Sequence, residues 1–248
     1  MNKVFECKIK KSVLFKKPNL KSEHLKEILF GEKFIKIKEY KNFFYGYCEY
    51  DNYEGYIKKN NLILSEKKHN YLINSSKAFL YKNKKINSKT KNFLYLNSRV
   101  YISKIGKTFS RINDKWIKNS DLKPLNKKKN DHFLKKVSLF NNSKYVWGGN
   151  TVDGIDCSGL VQELMKNVSK KCPRDSIEQE VYFKKKIKLT NIKKGDLLFW
   201  KGHVAVAINN KKCVHAYGPV KKVTQMKIDN LISILQKKSL KLSSIRRP

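Results

Sequence analysis

The first 65 residues alternate short apolar runs with polar turns, which is the pattern of small antiparallel strands. Runs rich in β-branched and aromatic residues predict strands at residues 4–9, 12–15, 33–38, 43–49 and 55–58. Turn signals at residues 17–19, 30–32 and 51–53 separate some of these runs. Five short strands in about 60 residues predict a small β-barrel.

Residues 66–126 repeat this plan. Residues 78–81, 97–102 and 115–122 correspond to residues 12–15, 31–36 and 55–62. An internal repeat of about 60 residues implies two like domains in tandem. The polar run at residues 125–131 then predicts a linker.

In the last third of the chain, helical spacing comes first and strand spacing later. We predict helices at residues 132–140, around 157–165 and at 177–184, with Asp175 or Ser176 capping the third of these. Strands follow at 196–200, 203–208 and 213–217, then a helix at 227–238 and a strand at 240–245. Helices followed by an antiparallel sheet make this region α+β. The predicted domains are residues 1–65, 66–126 and 127–248.

The chain of 248 residues carries a formal net charge of +36. Such a surplus is compatible with a polyanionic partner. The same lysine, asparagine and isoleucine excess is also typical of an AT-rich genome, so the charge has two readings. Because the lysines are spread evenly and no arginine-rich helix stands out, we do not expect nucleic acid as a partner.

The five cysteines, an odd number with no C-x-x-C pair, indicate neither a disulfide framework nor a zinc ribbon. The first residues lack a continuous apolar signal segment, and no run approaches about 18 apolar residues. We therefore expect a cytoplasmic protein without a transmembrane segment; export by a route not visible in the sequence is the alternative.

Cys157 is the candidate nucleophile. It follows a glycine-rich loop and stands at or just before the start of a predicted helix. Unpaired amides and the helix dipole at that position are expected to lower the thiol pKa and favour the reactive thiolate. The alternative is a small buried hydrophobic residue, which is the common use of a free cysteine.

His203 and His215 are the candidate partners of the thiol. If the loop at residues 209–211 has three residues, position 205 faces 215 and position 203 faces 217, so the two histidines are diagonal neighbours. His203 would then be the general base and His215 would orient it. A zinc site lacking its fourth ligand, a surface histidine at a strand end and a core histidine remain alternatives.

Four blocks in this region resemble the NlpC/P60 cysteine peptidase family. They are YVWGG at 145–149 with GIDCSGLV at 154–161, GDLLFW at 195–200, GHVAVA at 202–207 and VHA at 214–216. The two repeats resemble bacterial SH3-like (SH3b) domains through LFGEK at 29–33, YEGYI at 53–57 and WIKNSDL at 116–122. The expected architecture is therefore two SH3-like barrels followed by an α+β papain-like domain.

With both repeats in front, the chain is similar to γ-D-glutamyl-L-diamino-acid endopeptidases of the dipeptidyl-peptidase VI type. These cut peptidoglycan stem peptides between D-Glu and the diamino acid, in the recycling of peptides that begin with free L-Ala. The resemblance implies that Cys157 is the nucleophile, His203 the base and His215 the third catalytic member. It also implies that Tyr145 lies near the oxyanion.

The same resemblance implies substrate contacts at Asp156 and Ser158, which flank the nucleophile, and at Asp175 and Ser176. A plain helix cap is the alternative for Asp175. For the L-Ala amine in the first SH3b domain we expect Glu32 and Tyr53, since a buried ammonium needs a carboxylate and further acceptors. The alternatives are a solvated turn residue and a barrel-edge aromatic.

No metal or cofactor is expected, and the partner is a peptidoglycan-derived peptide. Two other functions stay open: a secreted autolysin anchored to the wall by its SH3b domains, and a non-catalytic SH3b binding protein. The sequence does not define the diamino acid, the requirement for free L-Ala or the oligomeric state.

Overall fold

A computed structural model describes residues 3–66, 68–125 and 132–248. The chain divides into two compact units, Met1–Lys129 and Asn130–Pro248. The predicted linker lies, apart from Leu125, outside the described residues. The division into three domains stays a prediction.

The described part of the first unit consists of short strands paired antiparallel, connected by turns and single 3₁₀ turns. The strands are β1 (Val4–Cys7), β2 (Lys11–Phe15), β3 (His24–Leu29), β4 (Lys33–Tyr40), β5 (Phe43–Cys48), β6 (Glu54–Lys58), β7 (Leu62–Leu64), β8 (Tyr71–Ile73), β9 (Lys77–Tyr81), β10 (Lys89–Tyr95), β11 (Arg99–Val100), β12 (Lys104–Ile105), β13 (Phe109–Ile112), β14 (Lys115–Lys118) and β15 (Leu122–Pro124).

The pairing pattern of the first seven strands recurs in the next eight. β1 pairs with β4 and β7, as β8 pairs with β11 and β15. β2 pairs with β3 and β6, as β9 pairs with β10 and β14. Strand β4 corresponds to both β11 and β12, so the first copy is one seven-stranded sheet and the second is split into five-stranded and three-stranded sheets. This recurrence supports the internal repeat.

Each copy has its own apolar cluster, one containing Leu14 and Ile57 and the other Ile73 and Ile117. The seven-stranded sheet runs from β3 at one edge to β7 at the other, and among the described residues these two strands are not paired with each other. Closure into a barrel is therefore not shown.

Strand β3 was absent from the prediction because its sequence carries charges that the fold buries. Lys26 is 1% exposed, and its Nζ lies 2.6 Å from Oδ2 of the equally buried Asp51. A strand is recognised in a sequence by alternating apolar and polar residues, and a charged residue at a buried position breaks that alternation.

The second unit begins with a 3₁₀ helix, Phe133–Phe140, where a short helix was expected. Its remaining helices and strands are β16 (Asn150–Thr151), β17 (Gly154–Ile155), α1 (Cys157–Asn167), α2 (Ser176–Tyr182), β18 (Lys185–Lys186), β19 (Leu197–Trp200), β20 (His203–Ala207), β21 (Lys212–Tyr217), β22 (Lys222–Lys227), α3 (Ile228–Gln236) and β23 (Ser244–Arg247).

The six-stranded antiparallel sheet has the order β18-β23-β19-β20-β21-β22. Helix α1 packs against β20 and β21, and α3 lies beside β22. Leu198, Ala205 and Leu231 belong to the apolar cluster of this unit. The predicted α+β arrangement is present, with β22 as an additional edge strand whose polar sequence hid it. None of the helices in the described part of the chain is long and apolar enough to cross a bilayer.

Candidate active site

Cys157 is the first residue of α1, a helix in which every residue is buried. The N-cap residue Asp156 has an extended backbone, and its Oδ1 accepts a hydrogen bond from the amide of Gly159 at 2.7 Å. This bond satisfies one of the free amides of the first turn. Helix α1 packs against β20 and β21, which carry the two histidines, and a backbone hydrogen bond joins Cys157 to Val204, the residue after His203.

His203 begins β20, and His215 lies in β21. The strands pair with Val206 opposite Val214 and Ala207 opposite Cys213, so the register predicted from a three-residue loop is confirmed. Nε2 of His203 lies 2.8 Å from Nδ1 of His215. The geometry thus brings together the two rings that the sequence placed as diagonal neighbours.

Both histidines are held in the neutral form. Burial lowers the pKa of His203 to about 4. Burial, together with the charge that His203 would carry, lowers the pKa of His215 to about 3. The ring of His215 also stacks on Tyr217, with centroids 4.8 Å apart. At neutral pH the pair is therefore two uncharged rings sharing one hydrogen bond.

The thiol of Cys157 is also uncharged in the resting state. Burial raises its pKa to about 12, and the nearby Asp156 charge adds to the shift. Hydrogen bonds from the backbone of Val204 and Ser158 favour the thiolate, but they do not compensate for the lost hydration. The expectation that the helix N-terminus lowers this pKa was wrong, because desolvation outweighs the backbone hydrogen bonds and the charge of Arg174.

Tyr145 lies close to Cys157. Its ring passes Gly218, where an added Cβ would be 3.7 Å from Cε1 of the tyrosine. Burial raises the pKa of Tyr145 to about 12, and the charges of Cys157 and Asp156 contribute to the shift. Its hydroxyl therefore keeps its proton at neutral pH and can act as a hydrogen-bond donor.

Arg174 holds the loop before Cys157 in place. Its Nη1 and Nη2 donate to Oδ1 and Oδ2 of Asp156 at 2.9 and 2.6 Å. Nη1 also donates to Oγ of Ser158 at 2.9 Å, and Nη2 to the carbonyl of Gly149 at 3.3 Å. Because Arg174 is 1% exposed, this planar fork is a buried, charge-assisted clamp on both sides of Cys157.

Residues 142–241 match the model of the NlpC/P60 family. The second unit carries an NlpC/P60 domain. Its matched range contains the candidate nucleophile, both histidines and the arginine clamp, and it agrees with the resemblance expected from the sequence.

Curated relatives extend the similarity beyond this domain. A γ-D-glutamyl-L-lysine dipeptidyl-peptidase of Bacillus subtilis is 27% identical over 180 residues, which cover 66% of this chain and 60% of the relative. Dipeptidyl-peptidase 6 of Lysinibacillus sphaericus is 28% identical over 235 residues, covering 82% of this chain and 83% of the relative. A probable endopeptidase NlpC homologue of Haemophilus influenzae is 39% identical over 77 residues and is covered over 42% of its length.

Solved structures agree on the fold. A crystal structure of an NlpC/P60 family protein from Bacillus cereus has a TM-score of 0.84 at 16% identity, covering 98% of this chain and 99% of that one. An NlpC/P60 endopeptidase from Photobacterium damselae has a TM-score of 0.64 at 13% identity, with coverages of 97% and 70%. The relatives bear the names of peptidases, as expected from the sequence.

Of the four residues expected to contact substrate in the NlpC/P60 domain, two are engaged internally. Asp156 is 5% exposed, and its Oδ2 also accepts from the amide of Gly148 at 2.8 Å. Ser158 accepts from Arg174 and lies 3.3 Å from Asp156 Oδ1. These contacts favour a positioning role for both residues, and their contact with substrate stays a prediction.

The other two lie at the start of α2. Asp175 is the exposed N-cap residue, although its side chain makes no capping hydrogen bond. Ser176 is the first residue of the helix and is buried. Their expected place in a substrate groove stays a prediction.

Arg174 and Gln179 were not among the predicted site residues. Nε2 of Gln179 donates to the carbonyl of Ser158 and to that of Pro173, both at 2.9 Å, and so joins α2 to the nucleophile turn. One signal for Arg174 was available: only five of the 56 basic residues are arginine. In a lysine-rich chain, an arginine marks a site where a planar fork is needed.

The two residues expected to bind the substrate amine belong to the first unit. Glu32 is 8% exposed, and its Oε2 accepts from the amide of Leu29 at 2.8 Å. Tyr53 packs against the first apolar cluster, with Nζ of Lys26 5.8 Å from its ring centroid. Amine binding by these residues stays a prediction.

Within the described ranges, no group of three or more histidine, cysteine or acidic side chains is arranged to hold a metal ion.

Proposed function

We propose that this protein is a cysteine peptidase that hydrolyses the γ-D-glutamyl–L-diamino-acid bond of peptidoglycan stem peptides. The 2.8 Å contact between His203 and His215, beside a cysteine at a helix N-terminus, carries the proposal. The names of the Bacillus and Lysinibacillus relatives support this bond as the one cleaved.

The neutral resting state defines the first step. With Nε2 of His203 bonded to His215, Nδ1 of His203 is the nitrogen available to take the thiol proton. Proton transfer accompanies attack of Sγ of Cys157 on the γ-glutamyl carbonyl carbon. For His203 to donate from Nε2, His215 accepts at Nδ1 and carries its own proton on Nε2. His215 then stabilises the imidazolium as it forms.

Two donors meet the negative charge on the carbonyl oxygen. The amide of Cys157 belongs to the first turn of α1 and is free of intrahelical bonds. The Tyr145 hydroxyl, protonated beside the sulfur, is the second. As the tetrahedral intermediate collapses, Nδ1–H of His203 protonates the amine of the diamino acid, which leaves. Water then cleaves the thioester with His203 as base.

In this proposal the first unit contains two SH3-like barrels, residues 1–65 and 66–126, that restrict the substrate to short peptides with a free L-Ala. The recurring strand order supports two like domains, and Glu32 with Tyr53 would bind the amine. A role in wall-peptide recycling in the cytoplasm is part of the proposal, and cell fractionation tests the location.

The test uses the tripeptides L-Ala-γ-D-Glu-L-Lys and L-Ala-γ-D-Glu-meso-diaminopimelate, each free and N-acetylated, with products identified by mass spectrometry. We expect release of L-Ala-γ-D-Glu from a free tripeptide and at least about a thousandfold loss in Cys157→Ala. Cys213→Ala, at another buried cysteine of the same unit, should keep activity. Cleavage by Cys157→Ala at the wild-type rate would reject the mechanism.

The same assay should also test a second type of peptide bond. A relative from Escherichia coli, 35% identical over 79 residues, is named murein DD-endopeptidase and LD-carboxypeptidase. If the free tripeptides stay intact while D-Ala cross-linked peptides are cut, the peptidase chemistry stands and the proposed bond is wrong.

A further inference from the structure

A cavity of about 630 Å³ lies wholly within the first unit and is lined by none of the residues assigned a role above. Its polar lining includes Lys33, Lys68, His69 and Arg99, and an apolar side includes Tyr71 and Ile105. None of the described lining residues is acidic. The volume is within the range of pockets that hold small ligands.

Arg99 is the unusual member of this lining. The other four arginines each donate a side-chain hydrogen bond. Among the described residues, the Arg99 guanidinium makes no hydrogen bond and no ion pair. Its main chain is nevertheless firmly held. The amide of Arg99 donates to the carbonyl of Phe30 at 2.8 Å, and a Cβ at Gly31 would lie 2.0 Å from the Arg99 carbonyl oxygen. The half-buried Arg99 guanidinium has a fixed backbone and no partner among the described residues. Its planar donors match the geometry of a carboxylate or phosphate group.

The neighbouring charges leave the cavity positive. Lys33 has one long ion pair, 3.8 Å to the half-exposed Glu49. Nε2 of His69 lies 3.5 Å from Oε2 of Glu6. Burial lowers the pKa of His69, the Glu6 charge opposes this, and the charges of Arg99 and Lys33 lower it further. Arg99 and Lys33 are therefore both close enough to His69 for their positive charges to disfavour its protonated form.

We propose that this cavity binds a small anionic ligand through a carboxylate or phosphate group held by Arg99 and Lys33, with the apolar part of the ligand against Tyr71 and Ile105. The inference does not rest on the proposed peptidase function, since the cavity and the catalytic groups belong to different units.

The full chain is titrated separately with inorganic phosphate and with glutarate while the imidazole protons of His69 are followed by NMR. His69→Gln assigns the resonance among the five histidines. We expect a saturable shift with one or both anions, and a higher His69 pKa in the bound state because a nearby anion favours the imidazolium. A response to phosphate alone indicates a phosphate ligand and a response to glutarate alone a carboxylate; glutaramide, which is uncharged, should give none. No saturable shift with either anion would overturn the proposal.

Variants then test the residues. Arg99→Gln should weaken binding of the responding anion at least about tenfold, since it removes charge-assisted hydrogen bonds, and Arg99→Lys should weaken it less. Arg111→Gln, at an exposed arginine of the same unit, is the matched control and should bind as wild type. Equal affinity of Arg99→Gln and Arg111→Gln would overturn the assignment. If Arg99→Gln does not fold, Lys33→Gln decides: about threefold or greater weakening supports the site, and unchanged affinity refutes it.

Discussion

Replacing Arg174 by glutamine should destabilise the second unit more than any single change at its surface. The side chains of Arg174 and Asp156 are 1% and 7% exposed, and their charged atoms lie 2.6 Å apart. The substitution leaves the Asp156 carboxylate buried without its cation, a situation that typically costs about 3–5 kcal/mol. Against a total stability of about 5–15 kcal/mol, this is a large part of what keeps the unit folded.

Arg247 offers a matched control in the same unit. It makes a similar two-bond contact with Asp196, at 2.7 and 2.8 Å, but its side chain is 29% exposed. Asp196 is itself 1% exposed, but the place of Arg247 borders solvent, so water can enter it in Arg247→Gln and hydrate the carboxylate. We therefore expect a loss of roughly 1–2 kcal/mol. Arg174→Lys keeps the positive charge but loses the planar guanidinium, so its loss of stability should lie between those of Arg174→Gln and Arg247→Gln.

The assay is urea unfolding followed by the fluorescence of Trp147 and Trp200, in a Trp116→Phe background that silences the first unit. The double variant Asp156→Asn/Arg174→Gln should recover part of the loss, since asparagine still caps α1 and no charge is left unpaired. Equal free energies of unfolding for Arg174→Gln and Arg247→Gln, or no recovery in the double variant, would refute the reasoning.

The remaining predictions concern the candidate catalytic groups. Tyr145→Phe should lower kcat about tenfold to a hundredfold in the tripeptide assay, because it removes one donor to the oxyanion. KM and the urea midpoint should change little. An unchanged kcat would exclude this role for Tyr145. Alkylation of resting Cys157 by iodoacetamide should be slow at pH 7 and accelerate about tenfold per pH unit up to pH 9, as a thiol with a pKa of about 12 requires; a flat rate from pH 5 to 9 would indicate a thiolate–imidazolium pair instead. The stability of the second unit should fall as the pH drops from 6.5 toward 4, since the unfolded chain binds a proton that His203, with a folded pKa of about 4, does not. That loss is on the order of 3 kcal/mol from this ring, and His203→Gln should flatten the profile in denaturant titrations at each pH.

The sequence allowed the positions of Cys157, His203 and His215 to be predicted because two local rules determine them. A three-residue loop at 209–211 sets the hairpin register, and the register places His203 and His215 together. The apolar spacing after Cys157 places the start of α1. Both signals lie within a few residues of the groups they position.

What escaped prediction depends on contacts between distant segments. The role of Arg174 appears only when the turn at Gly149 and the helix start at Asp156 converge on one guanidinium. The sign of the Cys157 pKa shift likewise depends on how completely the sheet covers the helix, which no local pattern encodes. The edge strand β22, with Val223 as its buried position, carries too little apolar alternation to be recognised.

Because Cys157 is buried as a protonated thiol, its reactivity toward oxidants should also be low. Peroxide attacks thiolates and scarcely touches thiols, so the resting sulfur of Cys157 should survive oxidants that convert exposed catalytic cysteines to sulfenic acid. Reactivity is created when a peptide carbonyl arrives and proton transfer becomes favourable. The sulfur would then be inert toward small electrophiles between turnovers and would react only while a peptide substrate is bound.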